Sequence, residues 1–216
     1  MPTIDAVLFD FGQVLSLPPD PGVWQQMQQI SGLSEDALHA GYWSQRDDYD
    51  EGLLTGDEYW TRIVGAGISS ETLSALKAAD VALWTRMNAP MMEWVAALHR
   101  AGFRTGILSN MPDAMAEGIC AQFDWIANFD HAVWSHALKM KKPQPEIYHA
   151  AAEGLQLPPE RILFVDDKQE NIRAAHAVGM QAIVYRDHSS FVSDMHTEGF
   201  GHLLEPGTSS LAQFAG

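Results

Sequence analysis

The spacing of apolar positions changes character twice along the chain. Near the start, Ala6-Val7-Leu8-Phe9 is apolar without alternation and stops on Asp10. Such a run, with β-branched and aromatic members, predicts a strand buried on both faces of a parallel sheet. From about residue 22 to 88 the apolar positions recur at helical spacing instead, and no strand is predicted. Ser34 heads one helix there, with Glu35 and Asp36 in its first turn. Thr55 with Glu58 has the spacing of a capping box and opens a second. Ser69 or Ser70 heads a third, through Leu73, Leu76 and Leu83. Pro18, Pro19 and Pro21 precede this block and Pro90 follows it. A helical stretch between two proline-marked breaks predicts an insertion.

Beyond it, strand and helix alternate. Met91, Trp94, Val95 and Leu98 share a helix face, with Gly102 as the stop. Residues 103–108 predict a strand ending at Ser109-Asn110, and Pro112 suits the first turn of the helix that runs toward Phe123. A short strand is expected at 131–135 and a helix from Pro145 to about Gly154. A strand at 162–165 ends at Asp166-Asp167, followed by a helix to Gly179 and a strand at 182–185. The segment from His188 has a weak pattern, with a short helix expected at 211–214. The fold class expected is α/β: a doubly wound parallel sheet formed by residues 1–16 and 90–216, with an all-helical cap at 17–89.

Composition narrows the partners. The 216 residues suffice for a core domain with an inserted subdomain. A net charge of −15 argues against nucleic acid or an anionic membrane surface. Cys120 stands alone, so no internal disulfide forms, and a small buried helix residue is expected there. No basic-then-apolar leader and no apolar run of roughly 18–20 residues occurs, so a cytoplasmic location is expected.

Three of the strands expected in one sheet end in polar groups: Asp10, Ser109 and the pair Asp166-Asp167. Parallel strands bring their carboxyl ends to one edge, where ligands bind. Crowded carboxylates resist ionising together, and a divalent cation relieves them. With oxygen donors and no Cys or His in the set, a hard ion is expected, Mg²⁺. Lys142, on a loop after another strand, adds a fixed positive charge, so that cation and lysine would together neutralise an incoming phosphate. Ser109 and the N–H groups of the next helix are further donors. An Asp held opposite a neutralised phosphoryl group can act as nucleophile.

These stretches carry a resemblance. VLFDFGQVL with Asp10, GILSN with Ser109, KKPQPEIY with Lys142 and ILFVDDKQEN with Asp166, Asp167 and Asn171 follow one another from residue 7 to 171. The chain thereby resembles the haloacid dehalogenase superfamily, in its phosphatase-like branch with a helical cap inserted after the first motif and a Rossmann-like core. The resemblance implies a Mg²⁺-dependent phosphohydrolase. Asp10 would be nucleophile and metal ligand, with the Gly12 main-chain carbonyl and Asp167 as further ligands. Asp166 and Asn171 would support the metal shell, while Ser109, Asn110 and Lys142 would bind phosphate. The implied substrate is a small phosphorylated metabolite, such as a sugar phosphate, handled by a monomer or homodimer.

One position departs from that pattern. Phosphatases of the superfamily carry a second Asp where this chain has Gly12. Gly keeps the carbonyl but has no carboxyl to protonate a leaving group. Either the substrate has a good leaving group, as in an anomeric or acyl phosphate, or an acid from the cap substitutes. In the cap, Tyr42, Trp43, Arg46 and Tyr49 form an aromatic–basic cluster expected to read substrate. The alternatives are a hydrolytic 2-haloacid dehalogenase, whose branch also lacks the second Asp, and a binding module that kept the fold.

Overall fold

A computed structural model describes residues 3–206, so the helix expected at 211–214 lies outside the described residues. The first apolar run forms β1 (Ala6–Phe9), and it is joined by β2 (Arg104–Ser109), β3 (His131–Trp134), β4 (Ile162–Asp166) and β5 (Gln181–Val184). The five strands pair in parallel in the order β3-β2-β1-β4-β5. β1 is therefore the central strand, with β2 and β4 as its neighbours. Val7 and Phe9 enter one core and Ala6 and Leu8 the other, which explains the absence of alternation.

The helices are α1 (Pro21–Ser31), α2 (Glu35–Ser44), α3 (Arg46–Asp50), α4 (Gly56–Val64), α5 (Ser70–Leu83), α6 (Ala89–Arg100), α7 (Asp113–Gln122), α8 (Ser135–Leu138), α9 (Pro145–Gly154), α10 (Gln169–Ala177) and α11 (His188–Thr197). On the Val7 face lie α6, through Met91, Trp94, Val95 and Leu98, and α11, through Phe191 and Met195. On the opposite face lie α9, through Ile147, Tyr148 and Ala151, and α10, through Ile172 and Ala175. The sheet is thus covered on both sides. α11 is the element the sequence pattern gave little sign of. It is capped by Asp187, whose side chain accepts from Ser190 N–H, and few of its residues are apolar. Cys120, expected buried, is exposed on α7, because the face that α7 buries is formed by Met115, Ala116 and Ile119.

Helices α1–α5 are inserted between β1 and α6. The chain enters and leaves this block through adjacent segments that form an antiparallel bridge, Ser16 with Met87. Leu17 N–H donates to Arg86 C=O at 2.7 Å and Asn88 N–H to Leu15 C=O at 2.9 Å. The Asn88 side chain adds bonds to Val14 C=O and to the Tyr185 hydroxyl, each 2.8 Å. Entry and exit are held together, so the helical block hangs from one tied pair of linkers. It seats on the core where α5 meets α7, an approach close enough that Gly118 leaves no room for a Cβ beside Val81. Lys141 of the core reaches Glu51 at 3.3 Å and Asp47 at 3.5 Å.

The capping signals are present as read. Ser34 accepts from Ala37 N–H, Ser69 from Thr72 N–H, and the Thr55–Glu58 box is formed in both directions. Thr55→Ala should cost about 1 kcal/mol of stability, because Glu58 N–H at the head of α4 loses its acceptor. Urea denaturation of the variant beside the parent checks this, and an unchanged midpoint would show that the box contributes nothing.

Candidate active site

The site stands at the carboxyl edge of the three central strands. Asp10 follows β1 directly, and its N–H donates to Val165 C=O of β4 at 2.9 Å. Ser109 ends β2 and Asp166 ends β4, so adjacent strands deliver all three groups to one place. After Asp10 the chain makes a wide turn, Phe11–Leu15, closed by Ser16 N–H donating to Phe11 C=O at 2.9 Å. Gln13 occupies the left-handed region there, with φ 61°. This costs backbone strain of order 1 kcal/mol or more in a residue other than glycine. It aims Gln13 at the site, where Nε2 donates to Asp167 Oδ2 at 2.8 Å. Gln13 is a site residue that the sequence reading passed over, since nothing in its type marks a positive φ.

The Asp10 carboxylate is pinned on one side. Its Oδ1 accepts from Phe11 N–H at 2.7 Å and from Ser109 Oγ at 2.9 Å, and it meets Lys142 Nζ at 2.9 Å. Among the described residues, no donor reaches Oδ2. Asp166 is fully buried and fully engaged. It takes Lys142 Nζ at 2.6 Å, Lys168 N–H at 2.8 Å, and Asn171 Nδ2 on both oxygens at 2.9 and 3.0 Å. Lys142 thus sits between two carboxylates, and Asn110 holds its backbone through bonds of 2.8 and 3.0 Å. Asp167, less buried, faces the cleft beside Asp10 and Asp166.

Charge is unbalanced here. Asp10, Asp166 and Asp167 bring three negative charges, against one on Lys142 at their centre and one on Lys168, which lines the same cleft and acts on Asp167. Burial raises the Asp10 carboxyl to about 7, with Asp166 and Asp167 adding to the rise and Lys142 opposing it. Burial and then Asp166 raise Asp167 as well. Burial works against the Lys142 ammonium, but Asp10 and Asp166 outweigh it and hold its pKa above the ordinary value. Oxygens from Asp10, Asp166 and Asp167 all lie within 4.8 Å of one another. A crowded all-oxygen set in which carboxylates outnumber the lysines fits one hard divalent cation.

The cleft above these groups holds about 190 Å³ and reaches Trp43, Arg46, Asp50 and Trp84 of the helical block. Not all of the aromatic–basic cluster faces it. Tyr49 is fully buried and stacks on Tyr59 with ring centroids 4.2 Å apart, and Tyr42 is buried beside Trp24 and Trp60. The helical block is small, and these rings are its core. Trp43 does line the cleft, and it is half exposed. Arg46 lines it too, but its guanidinium is committed. It meets the Tyr42 hydroxyl at 2.5 Å, Asp50 at 2.7 Å, Met115 Sδ at 3.2 Å and Asp80 at 3.4 Å. Trp84 of the helical block packs over Gly12, where a Cβ would meet the indole at 3.3 Å. The side-chain space next to the turn is therefore filled by an aromatic ring from the helical block.

Among the described residues no helix is long and apolar enough to cross a membrane. A chain similar in sequence is bifunctional epoxide hydrolase 2 of Rattus norvegicus, 28% identical over 207 residues. That match takes in 87% of this chain but only 37% of the relative, so the chain spans little more than a third of its length. Among solved structures, a HAD family enzyme of Bacteroides thetaiotaomicron, in complex with magnesium and inorganic phosphate, has a TM-score of 0.70 at 24% identity, covering 87% of this chain and 98% of that one. The L-2-haloacid dehalogenase of Xanthobacter autotrophicus has a TM-score of 0.66 at 19% identity, covering 91% and 84%. Residues 4–179 match the family model for haloacid dehalogenase-like hydrolases, and with most of the chain inside that match the chain belongs to this family of hydrolases.

Proposed function

We propose that the chain is a Mg²⁺-dependent phosphatase acting on a small phosphomonoester through a phosphoryl group carried on Asp10. The observation that supports this best is the crowding of three carboxylates around Lys142 at the edge of the sheet, their oxygens within 4.8 Å of one another. A magnesium- and phosphate-bound structure of similar fold agrees with it. Asp10, Asp167 and the Gly12 carbonyl would hold the ion, with Asp166 and Asn171 keeping the surrounding groups in place. Bound there, Mg²⁺ supplies charge neutralisation to the carboxylates and to a phosphate.

The chain's own residues divide the work. Asp10 presents Oδ2 to phosphorus while Phe11 N–H and Ser109 fix Oδ1. Lys142 neutralises charge on the phosphoryl oxygens, and Asn110 lines the same cleft as a further donor, while the one hydroxyl hydrogen of Ser109 stays on Asp10. Residues 17–89 act as a cap that limits substrate size and excludes water. Trp43 is the cap residue whose exposed ring is available to a substrate.

Release of phosphate from p-nitrophenyl phosphate, measured with Mg²⁺ and again after EDTA, tests the reading. Turnover should depend on the ion and return when Mg²⁺ is restored. Halide release from a 2-haloacid that survives EDTA would overturn it in favour of dehalogenation, in which Asp10 attacks carbon. Turnover of neither substrate would leave the binding-module alternative.

A further inference from the structure

Ester hydrolysis at this site needs a proton for the leaving oxygen, and the groups around Asp10 have none to give. Asp166 is saturated with donors, Asp167 faces the cation position, and Lys142 is shared by two carboxylates. Gly12 has no side chain, and Trp84 fills the space above it. One other carboxyl lines the cleft: Asp50, at the last position of α3.

We propose that Asp50 is the proton donor to the leaving group, reaching the site from the helical block; the assignment rests on the phosphatase reading. Its placement is well determined. Arg46 Nε donates to Oδ1 at 2.7 Å, and Arg46 is itself held by Tyr42, Asp80 and Met115. The Asp50 carbonyl accepts from Ser135 Oγ of the core, which fixes the end of α3 against the wall of the site. Among the described residues no donor reaches Oδ2, so that oxygen can carry a proton. Three charged groups face the carboxyl: Arg46 from its own helix, Asp80 from α5 and Lys168 from the head of α10. Burial raises the carboxyl to about 6, against the pull of Arg46, with Asp80 helping and Lys168 opposing. A donor with a pKa near the working pH is the efficient kind.

The step balances as follows. Asp10 Oδ2 forms a bond to phosphorus as the bond from phosphorus to the ester oxygen breaks. That oxygen keeps the electron pair and takes the Asp50 proton. The Asp50 carboxylate then takes a proton from water, whose oxygen attacks phosphorus. The bond from phosphorus to Asp10 breaks, phosphate leaves, and both carboxyl groups return to their starting states.

Asp50→Asn, in the full chain with Mg²⁺, separates the two halves of this cycle. With glycerol phosphate, whose alkoxide needs the proton, turnover should fall roughly 10²–10⁴-fold. With p-nitrophenyl phosphate, whose leaving group needs none, one equivalent of nitrophenol per site should appear as a burst before a slow phase. Acid-quenched protein should then carry a phosphoryl group on Asp10 by mass spectrometry. The burst also counts folded sites, since Asn retains an oxygen for the Arg46 bond, and Asp50→Glu should restore part of the alkyl activity. Equal slowing of both substrates without a burst would make Asp50 structural and overturn the assignment. A parent enzyme that turns over p-nitrophenyl phosphate but no alkyl phosphate would overturn it too, with the phosphatase reading intact. A parent inactive on both would fail the phosphatase reading itself.

Discussion

Asp10→Asn should abolish turnover and, in the same protein, raise the stability of the metal-free fold above neutral pH. The two effects have one origin. On the proposed mechanism Asp10→Asn loses the nucleophile and with it the covalent route, a loss that in a serine protease costs about 10⁶-fold in rate. Yet the same carboxylate is a burden on the fold when no cation is present. Its carboxyl titrates at about 7 against an ordinary 3.8, mainly because it is buried and then because Asp166 and Asp167 crowd it. A group whose pKa is raised by folding contributes its stability fully below the unfolded value, and loses it as the pH climbs through the folded one. The parent in EDTA should therefore lose stability between about pH 4 and 7. Asn is neutral throughout and escapes this loss, while Phe11 N–H and Ser109 can still donate to its oxygen. Urea titrations in EDTA at pH 5 and pH 8 check the claim. An Asn variant no more stable than the parent at pH 8 would show that the crowding at Asp10 costs nothing.

The parts of this arrangement that were legible in the sequence are those fixed by strands. A run that is apolar on both faces has few readings, and the residue at its end has few places to be. Asp10, Ser109 and Asp166 were found that way, and the structure brings them within bonding reach of one another or of Lys142. The helical block was harder, because helical spacing says which face is buried without saying against what. Tyr49 illustrates the limit. Its grouping with Tyr42, Trp43 and Arg46 in an aromatic–basic cluster suggests a residue facing the cleft. Packing against Tyr59 decided otherwise.

The contacts that Gln13, Trp84 and Asp50 make were missed for a related reason. Each acts through a contact more than thirty residues away along the chain, Gln13 with Asp167, Trp84 with Gly12, and Asp50 with Ser135. Periodicity carries no trace of such pairs. The Trp84–Gly12 contact gives the departure from the family pattern a physical form. The side chain absent at position 12 leaves no gap, since the indole occupies the space. A side chain restored there would put its Cβ 3.3 Å from the indole, which would have to give by a few tenths of an ångström.

The largest effect on folding should come from Lys142→Met. The lysine side chain is 1% exposed and lies 2.9 Å from Asp10 and 2.6 Å from Asp166. Methionine matches its length and would fill the space, so any loss reports charge rather than a cavity. Removing one partner of a buried ion pair costs about 3–5 kcal/mol, because the remaining charge has neither water nor a counterion. Here the ammonium serves two carboxylates, which puts the cost at the upper end of that range. A domain has about 5–15 kcal/mol in all, so the variant should be close to unfolding in EDTA at neutral pH. The direction of rescue follows from the same electrostatics. Protonation of Asp10 below its raised pKa removes one of the stranded charges, so stability should recover as the pH falls from 7 toward 5. Mg²⁺ should stabilise the variant at pH 7.5, since a cation held among Asp10, Asp166 and Asp167 would relieve the repulsion that the lysine offsets in the parent. Denaturation at pH 5.5 and 7.5, each with and without Mg²⁺, separates these contributions. A variant as stable as the parent in EDTA at pH 7.5 would mean that the two carboxylates share a proton without help, and that Lys142 serves phosphate alone.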